Sequence, residues 1–184
     1  MADAGGTSTT AAADADLYER DFAAWAEREA AMLREAAATS DLPLDWANLA
    51  EEIADLGKWQ ARELGNRLST IVEHLLKLRH SPADDPRAGW QETVDRSRVE
   101  AEAVLEENPS LRPRLGDAMA RARRDGARLA AIGLKRYGEL APGLARRMAE
   151  DAEAITAERA LDPDWWPERA AATFPGVPGE RRRP

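Results

Sequence analysis

Seven polar side chains, Glu29, Glu52, Glu63, Arg67, His74, Asp95 and Arg98, fall on or beside apolar helical faces of this chain at spacings that bear on chemistry. Gln60, Arg67 and His74 recur every seven residues, so on a helix they form a column that drifts only about 20° per step. Glu52, Trp59 and Glu63 lie next to that column. Arg98 intrudes on the apolar stripe of a second helix, three residues after Asp95. Folding the two helices back antiparallel brings Arg98 near Ile71 and Asp95 near His74. Arg67, His74 and Arg98 are therefore expected to line a polar groove, with Glu63 and Asp95 as counter-charges. The plainer alternative is a boundary of long side chains that snorkel to water.

A second constellation is acidic. Glu29 sits in the middle of an apolar stripe, where an ionised carboxylate is costly unless paired. Counting outward from the turn between the first two helices sets Glu29 opposite the turn containing Glu52, within about one helical turn. Glu52 and Asp55 with Glu29 opposite would supply hard oxygen ligands of the kind magnesium takes in helical hydrolases of nucleoside triphosphates. Asp55 points about 60° further from the stripe, however, and the first helix offers no matching Glu-x-x-Glu pair. The competing account satisfies Glu29 with an arginine or a backbone cap.

Other chemistries lack their residues. The chain has two histidines, His74 and His80, and neither stands in the Glu-x-x-His spacing that a di-iron bundle needs twice. No nucleophile elbow or glycine-rich phosphate loop is present. Cysteine is absent, which excludes disulfides, thiol catalysis and cysteine-ligated metal. No cofactor is expected; magnesium enters only with the carboxylate alternative.

The elements that position these groups all read at the helical period. From Leu42 to His80 the apolar residues Trp46, Leu49, Ile53, Leu56, Leu64, Leu68, Ile71, Leu75 and Leu78 share one face. Asp45 can cap this helix, Pro43 and Pro82 bracket it, and its length of about 50 Å exceeds what one partner helix covers. It is the spine of the fold. A first helix is expected from Asp16, capped by Asp16 with Glu19, along the stripe Tyr18, Phe22, Trp25, Glu29, Met32, Leu33 and Ala36. A third carries Trp90, Val94, Ser97, Arg98, Ala101, Val104 and Leu105. The fourth starts at Asn108-Pro109, carries Leu111, Leu115, Met119, Ala122, Gly126, Leu129, Gly133 and Tyr137, and stops at Gly138. Its glycines permit close helix approach. The fifth spans about residues 142–159 on Leu144, Met148, Ala152 and Ile155, and Trp165-Trp166 then cap the open end of the core.

Composition bounds the rest. The 184 residues suit one domain, with an aperiodic and disordered tail at 1–15, a helical domain at 16–169 and a mobile tail at 170–184. Ala, Leu, Glu and Arg predominate and β-branched residues are few, which favours an all-α compact bundle of about five helices built on one long helix at about residues 45–80. No apolar run is long enough to span a membrane, and residues 1–13 lack the basic start and apolar segment of a secretory signal. The cytoplasm is the expected location. The net charge of −8 opposes a nucleic-acid partner, although residues 112–148 hold ten Lys/Arg against three Asp/Glu.

Several motifs then carry a resemblance. Tyr18-Glu19 with Asp21-Phe22 and Trp25, Asn48-Leu49 with Glu51-Glu52-Ile53, Leu56-Gly57, His74-Leu75-Leu76-Lys77, Trp90, Arg98, Asn108-Pro109-Ser110-Leu111, and the ending Leu161-Asp162-Pro163-Asp164 with Pro167-Glu168 occur in order. Together they resemble the bacterial family catalogued as domain of unknown function twenty-nine, over about residues 17 to 168. The resemblance implies a compact helical bacterial protein without an established activity. It places Glu52, His74 and Arg98 in matched motifs and gives none of them a chemical role; the Ala- and Arg-rich stretch at 121–159 departs from the pattern. The expectation is a non-catalytic interaction or regulatory module with a protein partner, and the alternative is a metal-dependent hydrolase with its site at Glu29 and Glu52.

Overall fold

The computed structural model describes residues 16–170, so the two expected tails lie outside the described residues except for Ala170, whose amide donates to the Arg79 carbonyl at 2.8 Å. Six α-helices and one 3-10 helix follow a helical turn at residues 16–20, and there is no strand among the described residues. They are α1 (Phe22–Ala37), α2 (Trp46–His80), α3 (Arg87–Glu107), the 3-10 segment (Pro109–Arg114), α4 (Leu115–Arg136), α5 (Leu144–Ala152) and α6 (Ala157–Leu161). The all-α bundle on one long helix is what the sequence predicts. No helix in the described residues is long and apolar enough to cross a membrane.

Boundaries differ from expectation where a local bond decides them. The first long helix is capped at Asp21, not Asp16, because the Asp21 carboxylate accepts from the Ala24 amide at 2.9 Å. The fourth helix opens as 3-10 turns over Pro109–Arg114, where Pro113 has no N–H to donate to the Pro109 carbonyl, and turns α-helical from Leu115. The expected fifth helix is two, separated at residues 153–156, with Thr156 capping α6 through the Arg159 amide. Asp45 caps α2 as expected, accepting from Asn48 at 3.2 Å. Gly138 ends α4 in the left-handed region at φ +74°.

Helix α2 divides into two halves. Along the second half Leu64, Leu68, Ile71, Leu75 and Leu78 are buried, enclosed by α3, α4 and α5. Helix α3 runs antiparallel, with Arg87 bonded to the Leu78 carbonyl at one end and Glu100 level with Arg67. At 1.5 Å per residue Glu107 therefore ends it near residue 60 of α2. Helix α4 packs close through Gly126, where a Cβ would stand 2.8 Å from both the Ser69 carbonyl oxygen and the Val72 side chain. The buried α4 positions are Met119, Ala122, Gly126, Ala127, Ala130 and Leu134; Leu129 and Tyr137, expected inward, are exposed. From Gly126 the contact line follows four-residue steps, which keep Ala130 and Leu134 inside and turn Leu129 out.

The first half of α2 meets α1, and here the expected stripes do not face each other. The buried residues of α1 are Ala23, Ala26 and Ala30, set against Ala50 and Gly57, and a Cβ on Gly57 would lie 3.1 Å from the Ala23 carbonyl oxygen and 3.2 Å from the Ala26 Cβ. Small residues allow the two backbones to approach. The larger residues are displaced to the flanks: on α1 the stripe of Phe22, Trp25, Glu29 and Met32 is centred about 110° from the alanine line, and on α2 Leu49 and Leu56 lie about 100° from theirs, in the same rotational sense. In an antiparallel pair equal offsets fall on one side. The hairpin is consequently an arm with one apolar flank, on which Met32, Leu49 and Leu56 are exposed.

Candidate functional site

The polar groove is only partly assembled. Arg67 pairs with Glu63 one turn back, Nε to Oε1 at 2.8 Å, and with Glu100 on α3 at 2.8 Å. This triad bridges the α2–α3 seam about two turns before α3 ends. His74 continues the column, but its Nδ1 lies 2.9 Å from the Thr70 carbonyl; a carbonyl only accepts, so the ring carries its proton on Nδ1. Burial holds the His74 pKa below the usual histidine value, with nearby Lys77 adding to the effect and the Thr70 carbonyl and Glu73 opposing it.

Arg98 does not join them. It lies 200° around α3 from Glu100, on the opposite side of the helix. It is 4% exposed, and its guanidinium donates to the carbonyls of Ala160 at 3.0 Å, Pro163 at 3.3 Å and Trp165 at 2.8 Å. Its Cζ stands 4.7 Å over the Trp166 ring. Asp95 is 3.6 Å away and largely exposed, a loose counter-ion. Arg98 is thus a clasp that holds the segment after α6 over the core, and the expected convergence with Arg67 and His74 is corrected by the side of α3 from which it projects.

The acidic constellation also separates. Register does bring Glu29 level with residue 52, as the Gly57 contact with Ala23 and Ala26 shows. Glu29, however, is half-buried on the arm's flank and makes no hydrogen bond or ion pair among the described residues, while Glu52 is exposed. Asp55 is held by Lys58 at 2.7 Å. Among the described residues no three His, Asp or Glu side chains are grouped to hold a metal.

Three polar clusters, two of them buried, went unread in the sequence. Asp21, 8% exposed, accepts from the Ser110 amide at 2.6 Å and hydroxyl at 2.8 Å as well as from Ala24. Asn108, fully buried, accepts the Ala23 amide at 3.0 Å and donates to the Val104 carbonyl at 2.9 Å. Two helix ends are thereby capped by side chains from distant chain. At the far end of α2, Asp151 receives Arg79 Nε at 2.8 Å and stands 2.9 Å from His80 Nε2. Burial lowers the His80 pKa, the charge of Asp151 opposes that, and Arg79 reinforces it. The adjacent Ser81, 1% exposed, donates to Glu139 at 2.5 Å and does not meet His80. Nothing here forms a nucleophile–base pair. The available signal was Asn108-Pro109-Ser110, read as a helix start without its second role.

The motif residues can now be assigned physical roles. Asp21, Asn108 and Ser110 form one clasp, Arg98 and the segment at 160–166 form another, and Gly57 admits α1. A search of curated proteins finds no match. Among solved structures the chain is similar to an alpha-helical protein of unknown function from Rhodospirillum rubrum, at 25% identity and a TM-score of 0.56, over 80% of this chain and 90% of that one. The family described as "Domain of unknown function DUF29" matches residues 17–166. With that match spanning nearly all of the described fold, the chain belongs to the DUF29 family.

Proposed function

We propose that this chain is a non-catalytic interaction or regulatory module of a bacterial cytoplasm, and that it engages a protein partner through the α1–α2 arm. The observation that carries the reading is the uncovered apolar surface of the arm: Leu42 is 61% exposed, Trp59 58%, Leu44 50%, Leu56 47%, Met32 46% and Leu49 43%. Single exposed apolar residues are ordinary, but six on one two-helix projection, beyond the reach of α3, are of the kind that marks an interaction surface. The disposition of the polar groups supports it. The buried Arg98, Asn108, Asp21 and Ser81 are all engaged in holding chain segments together, which leaves none of them poised for a substrate.

The test is affinity capture from the source cell with the full chain and with a Leu49→Glu, Leu56→Glu variant. Both positions are exposed, so the variant should keep its circular dichroism and melting temperature. A protein retained by the wild type and lost from the variant is the expected result. Retention of an identical set by both, or a melting temperature lowered by several degrees in the variant, would remove the arm from the reading.

A further inference from the structure

A second surface, on the opposite end of the charge distribution, has a chemistry of its own. Between helices α4 and α5 lies a groove of about 470 Å³. Ala127, Ala131 and Leu140 form its apolar floor and Ala145 its far wall. Arg124, Arg128 and Lys135 stand along its rim, spaced four and seven residues apart and so aligned in one file on α4. That file is about 16 Å long.

The rim cations differ from most arginines of the described residues, although Arg121, Arg136 and Arg147 on the same two helices are likewise without a side-chain ion pair there. Arg67, Arg79, Arg98, Arg112, Arg114 and Arg123 are each engaged by a carboxylate or a carbonyl. Arg124, Arg128 and Lys135 are exposed, and their side chains make no ion pair or hydrogen bond among the described residues. Of the neighbouring carboxylates, Glu153 lines the groove and pairs with Arg123 at 3.2 Å, and Asp125 lines an adjoining hollow with Arg128, Asn66 and Leu129 without forming an ion pair with Arg128 among the described residues. An apolar trough bordered by a line of unneutralised cations is complementary to a helix with one apolar face and acidic edges.

We infer that the α4–α5 groove docks an acidic amphipathic helix of a partner protein, its apolar side chains at i, i+3 or i+4 and i+7 on the alanine floor and its carboxylates against Arg124, Arg128 and Lys135. This rests on the interaction-module reading but on a different face, so each is tested by its own variants. A nucleic acid would use the cations and leave the apolar floor uncovered, and an anionic bilayer is flat where this surface is concave. The helix uses both features.

The probe is a fluorescein-labelled peptide of three to four turns with leucine at the floor positions and glutamate elsewhere, titrated with the full chain and read by anisotropy. A peptide with lysine for glutamate and a glutamate peptide with scrambled leucines are the controls. The expected result is saturable binding of the first peptide alone, at about 100 μM or tighter in low salt and weakened at least about five-fold at 0.5 M salt, where screening shortens the reach of the rim charges. Arg124→Glu with Arg128→Glu, and separately Ala145→Trp, which fills the trough and leaves its charge intact, should each weaken it about ten-fold or more. Both alter exposed positions, and unchanged melting curves show that the fold is retained. Leu49→Glu with Leu56→Glu should not alter it. Equal binding of the lysine or scrambled peptide, indifference to Ala145→Trp, or no binding overturns the proposal. So does tighter capture of duplex DNA or phosphatidylserine vesicles that is lost on the arginine changes.

Discussion

Replacing Arg98 by methionine removes the guanidinium while keeping most of its stem volume. In the folded protein it is 4% exposed and donates to three carbonyls, those of Ala160, Pro163 and Trp165, and it covers the Trp166 ring. A hydrogen bond to a charged group contributes about 1.5–3 kcal/mol, and a carbonyl left buried without a donor costs about 1–3 kcal/mol. Ala160 is buried, so its carbonyl bears that full cost, whereas Pro163 is exposed and its carbonyl can recover water. The desolvation already spent on burying a guanidinium is regained, which offsets part of the loss. The net is a destabilisation of about 3–4 kcal/mol, a fall in melting temperature of roughly 10 °C for a chain of this size. Urea denaturation followed by far-ultraviolet circular dichroism measures the total. Tryptophan fluorescence and amide exchange over residues 157–170 show whether the loss begins at the clasp. Arg98→Lys should recover less than half, because one ammonium cannot serve three divergent acceptors. A cost below about 1 kcal/mol, or protection lost evenly through the bundle, would refute the assignment. Combined with His74→Ala the effects should add within about 0.5 kcal/mol, since the two residues share no partner.

Asn108→Ala leaves the Ala23 amide without its buried acceptor and should destabilise by about 2–3 kcal/mol in chemical denaturation; a neutral result would mean the α1 cap does not depend on it. Gly126→Ala gains helix propensity yet should lose about 1–3 kcal/mol, because its Cβ would lie 2.8 Å from the Ser69 carbonyl oxygen, while Gly65→Ala, with open space, should gain up to about 1 kcal/mol. The reverse order in thermal melts would contradict the helix contacts. His74 and His80 both have folded pKa values below the unfolded one, so between the two values the unfolded chain binds more protons, and stability should be full above about 6.5 and fall as pH drops through it. Melts from pH 7.5 to 5 should show this slope, reduced in His80→Gln; a flat profile opposes it. Magnesium at millimolar concentration should leave the melting temperature unchanged, and a rise that Glu29→Gln abolishes would revive the carboxylate site.

Much of this fold was legible because helices announce themselves locally. The all-helical class, the span and cap of α2, the stop at Gly138 and the buried faces of α3 and α5 follow from propensity, capping side chains and a 3.6-residue period, none of which needs a distant partner. The burial of Arg98 was legible too, from its place among Val94, Ala101 and Leu105. What the tertiary structure alone decided was who meets whom. Periodicity weighs side chains by their apolar size, so it ranked Phe22, Trp25, Leu49 and Leu56 above Ala23, Ala26, Ala50 and Gly57, whereas the hairpin brings its backbones closest where side chains are smallest and leaves the large ones on its flank. The partners of Arg98 and Asp21 were out of reach for another reason: they stand 62 to 89 residues away, and no spacing rule links positions joined only by the packing of the whole bundle.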